Sequence, residues 1–179
     1  MSDFHEMTIA GCKRKLPICQ INDELDIAAF VMFGDVEITI AAAKMLLKKC
    51  PKFDIILTPE AKSIPLAYEM ARQSGKTYLV ARKAMKLYMN NPLHVTVKSI
   101  TTDSVQSLYL SCEEVERLKG MRVLIVDDVI STGGSLAAVK KLAEKAGGQI
   151  VGCAAVLAEG EASSRDDIIF LAPLPLFYH

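Results

Sequence analysis

The sequence lacks the residue clusters that mark several common classes of protein. Its five cysteines are scattered without a CxxC pair and its three histidines lie far apart, so neither a disulfide framework nor a zinc site is indicated. Its 21 basic residues are balanced by 21 acidic ones, which leaves no broad positive field to attract a nucleic acid. We therefore expect free thiols in a reducing compartment and no nucleic-acid partner.

Long apolar runs, repeats and linkers are also missing. Charged residues interrupt the apolar stretches well before the length of a membrane span, and residues 1–15 contain no long apolar run. No repeat, low-complexity tract or Pro/Gly/Ser-rich linker divides the 179 residues. We therefore predict one domain over residues 1–179, located in the cytoplasm and without membrane contact.

What the sequence does contain is an alternation of short β-rich runs with segments of helical periodicity. The predicted strands are residues 53–57, 77–81, 123–126, 150–156 and 168–171. The predicted helix starts are Asp35, Pro65, the Ser111 and Glu114 capping box, and Leu136. This order is typical of an α/β fold with a central, mostly parallel sheet flanked by helices.

Two further patterns concern single elements. The first helix, from Asp35 to about Cys50, carries an apolar stripe that is expected to face the core: Val36, Ile40, Ala43 and Leu47. Between residues 90 and 111 the residues alternate as in two strands around a polar turn, Thr101-Thr102-Asp103. This second pattern predicts a hairpin that interrupts the alternation and covers a site.

The segment VLIVDDVISTGGS, residues 123–135, carries the clearest functional pattern. A buried strand is predicted to end at Asp127 and Asp128, and a loop of small residues then leads into a helix. In open parallel sheets, ligands bind beyond the carboxyl ends of the strands. The loop Ser131-Thr132-Gly133-Gly134-Ser135 offers backbone N–H groups, and the next helix offers its positive end. We therefore predict that this loop binds a phosphate.

The two adjacent aspartates need a partner, because neighbouring carboxylates repel each other and are costly to bury uncompensated. A ribose diol and a hydrated Mg²⁺ ion supply hydroxyl donors and positive charge. We therefore interpret the segment as a ribose 5-phosphate site, with Mg²⁺ held through the substrate and through Asp127 and Asp128. The alternative is a strand that ends in solvent-exposed acids before a glycine turn. Nucleotide sites of the GxxxxGK and GxGxxG types are absent from the sequence.

This segment resembles the phosphoribosyl pyrophosphate (PRPP) signature of type I phosphoribosyltransferases: a hydrophobic strand, two aspartates, two residues, and a loop such as STGGS. The resemblance implies the fold of that family, with an α/β core over residues 35–179, a β-hairpin flexible loop and a small hood over residues 1–34. It also implies a magnesium-dependent reaction in which a nitrogen base replaces diphosphate at the anomeric carbon of PRPP. Asp127 and Asp128 would be catalytic, and the protein would be a homodimer.

A second segment, TPEAKSIP at residues 58–65, is similar to the diphosphate loop of the adenine and xanthine enzymes of this family. By this resemblance Glu60, Ala61 and Lys62 bind PRPP, with the Lys62 ammonium facing the diphosphate. Ser63 stands where the family pattern has glycine, which departs from the close backbone approach that glycine permits. The alternative is a polar turn between a strand and a helix.

A basic pair, Arg82 and Lys83, follows the strand predicted at residues 77–81. A solvated face is the usual explanation for such a charge cluster. In the family an Arg-Lys pair at this place begins the flexible catalytic loop, so the resemblance implies that both residues neutralise the departing diphosphate. The glutamate that adenine enzymes carry on the returning arm is missing near Thr101 and Thr102, so the general acid or base is unassigned.

The base-binding side is the least defined part of the pattern, and residues 1–34 are the least regular part of the sequence. Under a family-type hood, Ile18 would contact the base edge and Phe30 and Phe33 would stack on the ring, although core packing is the alternative for both phenylalanines. Xanthine enzymes carry a lysine just after the strand near 150–157, where this sequence has Ala158-Glu159-Gly160. The missing lysine favours an amino-purine such as adenine.

These observations predict a purine salvage enzyme that transfers the 5-phosphoribosyl group of PRPP to a purine, with adenine favoured, giving a nucleoside monophosphate and diphosphate. Xanthine, hypoxanthine/guanine or orotate as the base is an open alternative. From a different class, a regulator that senses PRPP or a nucleotide would keep the phosphate loop and the acids but lose the basic loop. The presence of Arg82 and Lys83 favours the enzyme.

Overall fold

The backbone is organised around a five-stranded sheet in which every pair of neighbours is parallel. The computed structural model describes residues 4–98 and 105–179. The strands in those ranges are β1 Phe4–Ile9, β2 Cys12–Asn22, β3 Leu25–Ala28, β4 Ile55–Pro59, β5 Thr77–Ala81, β6 Leu93–Lys98, β7 Val105–Leu110, β8 Arg122–Ile130, β9 Gln149–Glu159, β10 Ala172–Leu174 and β11 Leu176–Tyr178. The α-helices are α1 Val36–Lys49, α2 Ile64–Ser74, α3 Cys112–Leu118 and α4 Gly134–Lys145. A 3₁₀ turn covers Gly160–Ser164.

The central sheet has the strand order β10-β9-β8-β4-β5, and it separates two hydrophobic cores. One core, which includes Leu108 and Leu142, lies against α4 and the β6–β7 hairpin. The other, which includes Ile9, Leu46 and Met70, lies against α1, α2 and the first strands of the chain. The predicted α/β architecture with helices on both faces of a parallel sheet is therefore confirmed. Among the helices of the described ranges, none has both the length and the apolarity needed to cross a bilayer.

The helix ends follow the predicted capping residues. The Asp35 carboxylate accepts a hydrogen bond from the Ile38 N–H at the start of α1. At the start of α3, the Ser111 hydroxyl and the Glu114 carboxylate each accept a hydrogen bond from the other's backbone N–H. Gly75 ends α2 in the left-handed conformation, with φ of 67°. Side-chain chemistry near the backbone was therefore a sound guide to the helix limits.

The buried face of α1 differs from the predicted stripe. Val36 and Ile40 are 68% and 44% exposed, whereas Ile38, Ala42 and Leu46 are fully buried. Of the predicted stripe, Ala43 is buried and Leu47 packs partly buried against the core, as expected, whereas Val36 and Ile40 do not, because α1 is apolar on more than one face and its periodicity does not identify the side that meets the sheet. As a consequence, an apolar side of α1 remains on the surface of the chain.

Two strand limits also need correction. β4 begins at Ile55 rather than at residue 53, since its pairing with β5 and β8 starts there. The strand predicted at residues 168–171 is an irregular segment that makes one isolated bridge, between Ile169 and Ala154. The regular pairing with β9 comes later, at β10. Apolar composition identified these segments, but backbone hydrogen bonding decided their extent.

The N-terminal region is more regular than the sequence indicated. Strands β1, β2 and β3 form an antiparallel sheet, and β11 from the end of the chain joins it through pairs such as Leu176 with Ile27. The predicted hood is therefore a four-stranded sheet that residues 1–34 do not complete by themselves. We call β1, β2, β3 and β11 the hood sheet.

The hairpin predicted between residues 90 and 111 is present as β6 and β7, paired in antiparallel register. A bridge between Arg82 and Tyr109 attaches β7 next to the end of β5. The predicted turn Thr101-Thr102-Asp103 lies outside the described residues. The start of the basic loop and the hairpin are thus held together by backbone hydrogen bonds.

An ion pair joins the hood sheet to the α/β core. The Arg14 guanidinium donates to both Asp35 carboxylate oxygens, with Nε to Oδ2 at 2.6 Å and Nη2 to Oδ1 at 2.9 Å. Its Nη2 also donates to Glu37 at 2.7 Å. Hydrogen bonding to Arg14 is the main reason that the pKa of Asp35 lies below the ordinary carboxyl value. Asp35 therefore caps α1 and anchors β2 at the same time.

Replacing Asp35 should separate these two roles. D35A loses the N-cap and the ion pair and is expected to lower the free energy of unfolding by about 1–2 kcal/mol, whereas D35N keeps a good cap and should lose less. Because the pKa of Asp35 is lowered in the folded state, its contribution should be present above the ordinary carboxyl pKa and disappear as the pH falls through the lowered value. Urea unfolding at several pH values measures this. D23N, at an exposed aspartate in the turn between β2 and β3, is the control, and a D35A protein as stable as the wild type would contradict the assignment.

Candidate active site

Two consecutive aspartates lie inside β8, near its carboxyl end. The prediction that the strand ends at Asp127 and Asp128 is wrong, because β8 continues to Ile130 by pairing with β9. Successive side chains of a strand point to opposite faces, so the two carboxyl groups approach the site from different sides of the sheet. Asp128 is buried, with 4% of its surface exposed, and its N–H donates to Asp127 Oδ1 at 2.9 Å.

The electrostatics of this pair depend on burial. Burial raises the pKa of the Asp127 carboxyl, and the adjacent charge of Asp128 raises it further. Asp128 Oδ2 is a buried acceptor that receives no hydrogen bond from the described residues. The nearest cation is the Lys62 ammonium, whose Nζ lies 3.4 Å from this oxygen. The site thus combines one carboxyl whose ionisation is disfavoured by burial with a second acid that has a single ammonium beside it.

The predicted phosphate loop forms a small cavity beside Asp127. The cavity has a volume of about 140 Å³ and is lined by Asp127, Val129, Ile130, Ser131, Thr132, Gly133, Gly134, Ser135 and Leu136. Helix α4 begins at Gly134, earlier than predicted, so Gly134 and Ser135 belong to its first turn. Gly133 has a φ of 84°, a left-handed conformation that favours glycine. The loop therefore places free N–H groups of a helix start around a space suited to an anion.

The second predicted loop lies next to the acids because β4 is the parallel neighbour of β8. The Thr58 hydroxyl donates to the Val126 carbonyl at 2.8 Å and contacts Ser63 Oγ. The Ser63 hydroxyl donates to the Pro59 carbonyl at 3.0 Å, and Ser63 is buried. Ser63, which departs from the family's glycine, therefore fastens this loop from within. Sequence analysis missed this role of Thr58 and Ser63, since only their burial distinguishes them from ordinary turn residues.

Glu60 connects the second loop, residues 58–65, to the basic loop, the segment that begins with Arg82 and Lys83. Its carboxylate accepts a hydrogen bond from the Lys83 N–H at 2.9 Å, and its own N–H donates to the Ala81 carbonyl at 2.9 Å. The exposed Ala61 and Lys62 lie at the surface of the loop, where they can meet a ligand. A direct contact of Glu60, Ala61 or Lys62 with PRPP stays a prediction.

Arg82 and Lys83 begin the segment between β5 and the hairpin. Arg82 exchanges two backbone hydrogen bonds with Tyr109, at 3.0 and 2.9 Å, and its Nε is buried without a partner among the described residues. Lys83 is exposed. The two cations are therefore attached to the same edge of the sheet as the acids, and their role at a diphosphate stays a prediction.

The residues predicted to contact the base occupy different environments. Phe30 is buried in the core beneath the hood sheet, so the core-packing alternative is correct for it. Phe33 is 55% exposed, just before α1. Ile18 is half-buried in β2, paired with Ala28. Glu159 ends β9, and its partial burial raises the pKa of its carboxyl, which the charge of Lys62 partly opposes.

Comparison with known proteins places this geometry in a family. A model of the phosphoribosyl transferase domain matches residues 36–172. A hypoxanthine/guanine phosphoribosyltransferase of Methanococcus voltae is 41% identical over 112 residues, which are 63% of this chain and 56% of the relative. An adenine phosphoribosyltransferase of Thermotoga petrophila is 37% identical over 103 residues, or 57% of each protein. The aligned segment thus spans little more than half the length of these relatives.

A solved structure agrees with the sequence relatives. The crystal structure of adenine phosphoribosyltransferase from Thermoanaerobacter pseudethanolicus is similar with a TM-score of 0.67 and 26% identity, over 96% of this chain and 95% of that one. The family model includes β8, the acid pair and the phosphate loop. The type I fold implied by the sequence signature is thereby confirmed. The chain belongs to the phosphoribosyl transferase family.

Proposed function

We propose that this protein is a purine phosphoribosyltransferase that uses PRPP and Mg²⁺ and favours adenine as the base. The observation that carries the proposal is the convergence of an acid pair, a phosphate cavity and the Lys62 ammonium at one edge of the parallel sheet. The diphosphate and basic loops reach the same edge through β4 and β5. The phosphate cavity matches the 5-phosphate of PRPP, the acid pair matches the ribose diol, and the Lys62 ammonium matches the diphosphate.

The main contribution of the protein to this reaction is charge compensation rather than covalent catalysis. The bond between C1′ and the diphosphate oxygen breaks, the bond between C1′ and a purine nitrogen forms, and that nitrogen loses its proton. We assign the 5-phosphate to residues 131–135 and the ribose hydroxyls to Asp127 and Asp128. Lys62, Arg82 and Lys83 would stabilise the departing diphosphate. Catalysis then rests on positioning and on preorganised charge.

The residues at the acid pair fit a magnesium ion. Asp128 Oδ2 is a buried carboxylate oxygen without a hydrogen bond from the described residues, and its one cationic neighbour among them, the Lys62 ammonium, lies 3.4 Å away. Within residues 4–98 and 105–179 there is no cluster of three side chains able to hold a metal alone. Mg²⁺ typically keeps several waters and binds through one or two carboxylates together with substrate phosphates. The ion, when bound, would supply positive charge to the diphosphate and to these carboxylates.

The base assignment rests on relatives and on one residue. Adenine is the base named for the Thermotoga petrophila relative, and the segment Ala158-Glu159-Gly160 has no lysine of the kind that would favour xanthine. Hypoxanthine or guanine is the second candidate, because the Methanococcus voltae relative is 41% identical. We further infer that the protein works in the cytoplasm, where its five cysteines stay free thiols.

A base panel tests the proposed reaction. Protein, PRPP and Mg²⁺ are incubated with adenine, hypoxanthine, guanine, xanthine or orotate, and diphosphate release is measured. We expect release with adenine at the highest kcat/KM and none without Mg²⁺. Faster release with hypoxanthine or guanine would establish the second candidate. Binding of PRPP without release for any base would contradict the enzyme and identify a sensor of PRPP.

Replacing Asp127 should stabilise the free protein and damage catalysis. Because the pKa of Asp127 is raised in the folded state, the unfolded chain loses this proton first, so stability falls as the pH rises from the ordinary carboxyl pKa to the raised value and stays constant above it; below the ordinary pKa the group is protonated in both states and has no effect. D127N removes this effect, so its melting temperature should exceed that of the wild type at alkaline pH and match it at acidic pH. Thermal unfolding across the pH range measures the difference.

The same variant should lose turnover, by about 10²-fold or more, because a preorganised charge at the sugar is removed. D23N, which changes an exposed aspartate of the hood sheet, is the matched control for both measurements. A D127N protein with wild-type turnover would overturn the assignment of the ribose site. An unchanged pH profile of stability would overturn the assigned burial of the carboxyl.

We also propose that two copies associate through an exposed apolar face of α1 and α2. Phe33, Val36, Ile40 and Tyr68 are 55%, 68%, 44% and 55% exposed. Val36, Ile40 and Tyr68 line one apolar groove of about 430 Å³. Contiguous exposed apolar surface marks interaction sites, and a two-fold dimer uses the same face of both copies. Since α2 follows the second loop directly, such a dimer would also fix that loop.

Sedimentation equilibrium tests this dimer. The wild type is expected at twice the chain mass of 19.6 kDa, and V36E at the chain mass, because a carboxylate in the apolar contact stays unpaired. I21E is the control, since Ile21 is 56% exposed on β2, away from this face. A wild-type monomer, or a V36E dimer as stable as the wild type, would disprove the proposed interface.

A further inference from the structure

An arginine distant in the sequence lies directly against the phosphate loop. Arg165 Nη1 is 2.7 Å from the position that a β-carbon on Gly133 would occupy. Gly133 is the N-cap of α4, and its carbonyl accepts the first helical hydrogen bond, from the Ala137 N–H at 2.8 Å. The space that a side chain would fill at this turn is therefore taken by a guanidinium group. Glycine is favoured here by its positive φ.

Arg165 is held in place by hydrogen bonds to a neighbouring acid. Its Nε donates to Asp167 Oδ1 at 2.8 Å and its Nη2 donates to Asp167 Oδ2 at 2.7 Å. The Lys140 ammonium of α4 donates to the same Asp167 Oδ2 at 3.1 Å. The Arg165 N–H donates to the Ala162 carbonyl, which fastens the backbone to the preceding 3₁₀ turn. A planar fork fixed at two points leaves the third nitrogen, Nη1, in one orientation.

The cluster of Arg165, Asp167 and Lys140 connects the parts of the fold whose relative positions matter for phosphate binding. Lys140 lies on α4, Gly133 at the turn before it, and Arg165 and Asp167 on the segment after β9. Arg165 is not among the residues that line the phosphate cavity, so it supports the loop from outside.

We propose that Arg165 is a positioning residue for the phosphate loop: its guanidinium, fixed by Asp167, holds the Gly133 turn in the conformation that binds the 5-phosphate. The inference rests on the proposed function for the identity of the ligand, a ribose 5-phosphate group. Arg165 acts through the loop and touches no reacting atom. Its loss should weaken binding of the phosphate end of the substrate and leave the diphosphate end unaffected.

Calorimetric titration of R165M with ribose 5-phosphate and, separately, with diphosphate and Mg²⁺ tests this role. We expect the dissociation constant for ribose 5-phosphate to rise about tenfold and that for diphosphate to stay within about twofold of the wild type, a difference of roughly one decade in affinity. R165K keeps the charge but cannot form the fork to Asp167 while contacting Gly133, so it should remain close to R165M. In turnover, KM for PRPP should rise with kcat little changed.

R122M is the matched control. Arg122 also donates from Nε and Nη2 to one carboxylate, Asp54, at 2.9 and 2.7 Å, but at the amino end of β8, away from the loop. It should change stability as much as R165M and leave ribose 5-phosphate binding unaltered. An equal loss for both variants, equal losses for both ligands, or full recovery in R165K would overturn the positioning role.

The outcomes for this inference and for the proposed function are separable. Wild-type protein that binds ribose 5-phosphate but releases no diphosphate with any base would overturn the proposed reaction alone, because the affinities of R165M still decide the role of Arg165. Wild-type protein that binds no ribose 5-phosphate would overturn both the site and the inference.

Discussion

The constraint on which the site depends is the burial of two adjacent carboxylates in one strand of a parallel sheet. Burial, and then the neighbouring charge of Asp128, raise the pKa of Asp127, and Asp128 Oδ2 receives no hydrogen bond from the described residues. Such a pair is stable only where a ligand or an ion can complete it. The Lys62 ammonium at 3.4 Å supplies part of that compensation. The other parts of the site lie around this acid pair.

The parallel sheet brings the compensating groups to the acids. The carboxyl ends of β4, β5 and β8 reach the same edge, so loops from distant parts of the sequence meet there. Internal hydrogen bonds hold the loops in place: Thr58 to Val126, Ser63 to Pro59, and the Lys83 N–H to Glu60. Arg165, hydrogen-bonded to Asp167, lies against Gly133 on the outside of the phosphate loop.

Contacts between distant segments also hold the hood sheet and α1 in place. β11 completes the hood sheet beside β3, so the two ends of the chain join, and Arg14 fastens that sheet to the cap of α1. Helix α1 buries Ile38 and Leu46 against the sheet and leaves Val36 and Ile40 on the surface. An apolar helix with two apolar sides can serve a core and an interface at once. The hood, the core and the proposed dimer face thus share one helix.

The sequence by itself determined the local features whose physics is short-range: the capping residues Asp35 and Ser111, the order of strands and helices between residues 35 and 159, and the acid pair followed by a small-residue loop. These depend on neighbouring residues, and they identified the family as well as the position of the phosphate cavity. Only the tertiary structure decided which side of α1 is buried, that β8 continues past Asp127 to Ile130, and that β11 closes the hood sheet. It also placed Ser63 inside its loop and Arg165 against Gly133. Except for the local bond from Ser63 to Pro59, these features depend on contacts between residues far apart in the sequence, and the packing of the whole sheet sets the distances between them.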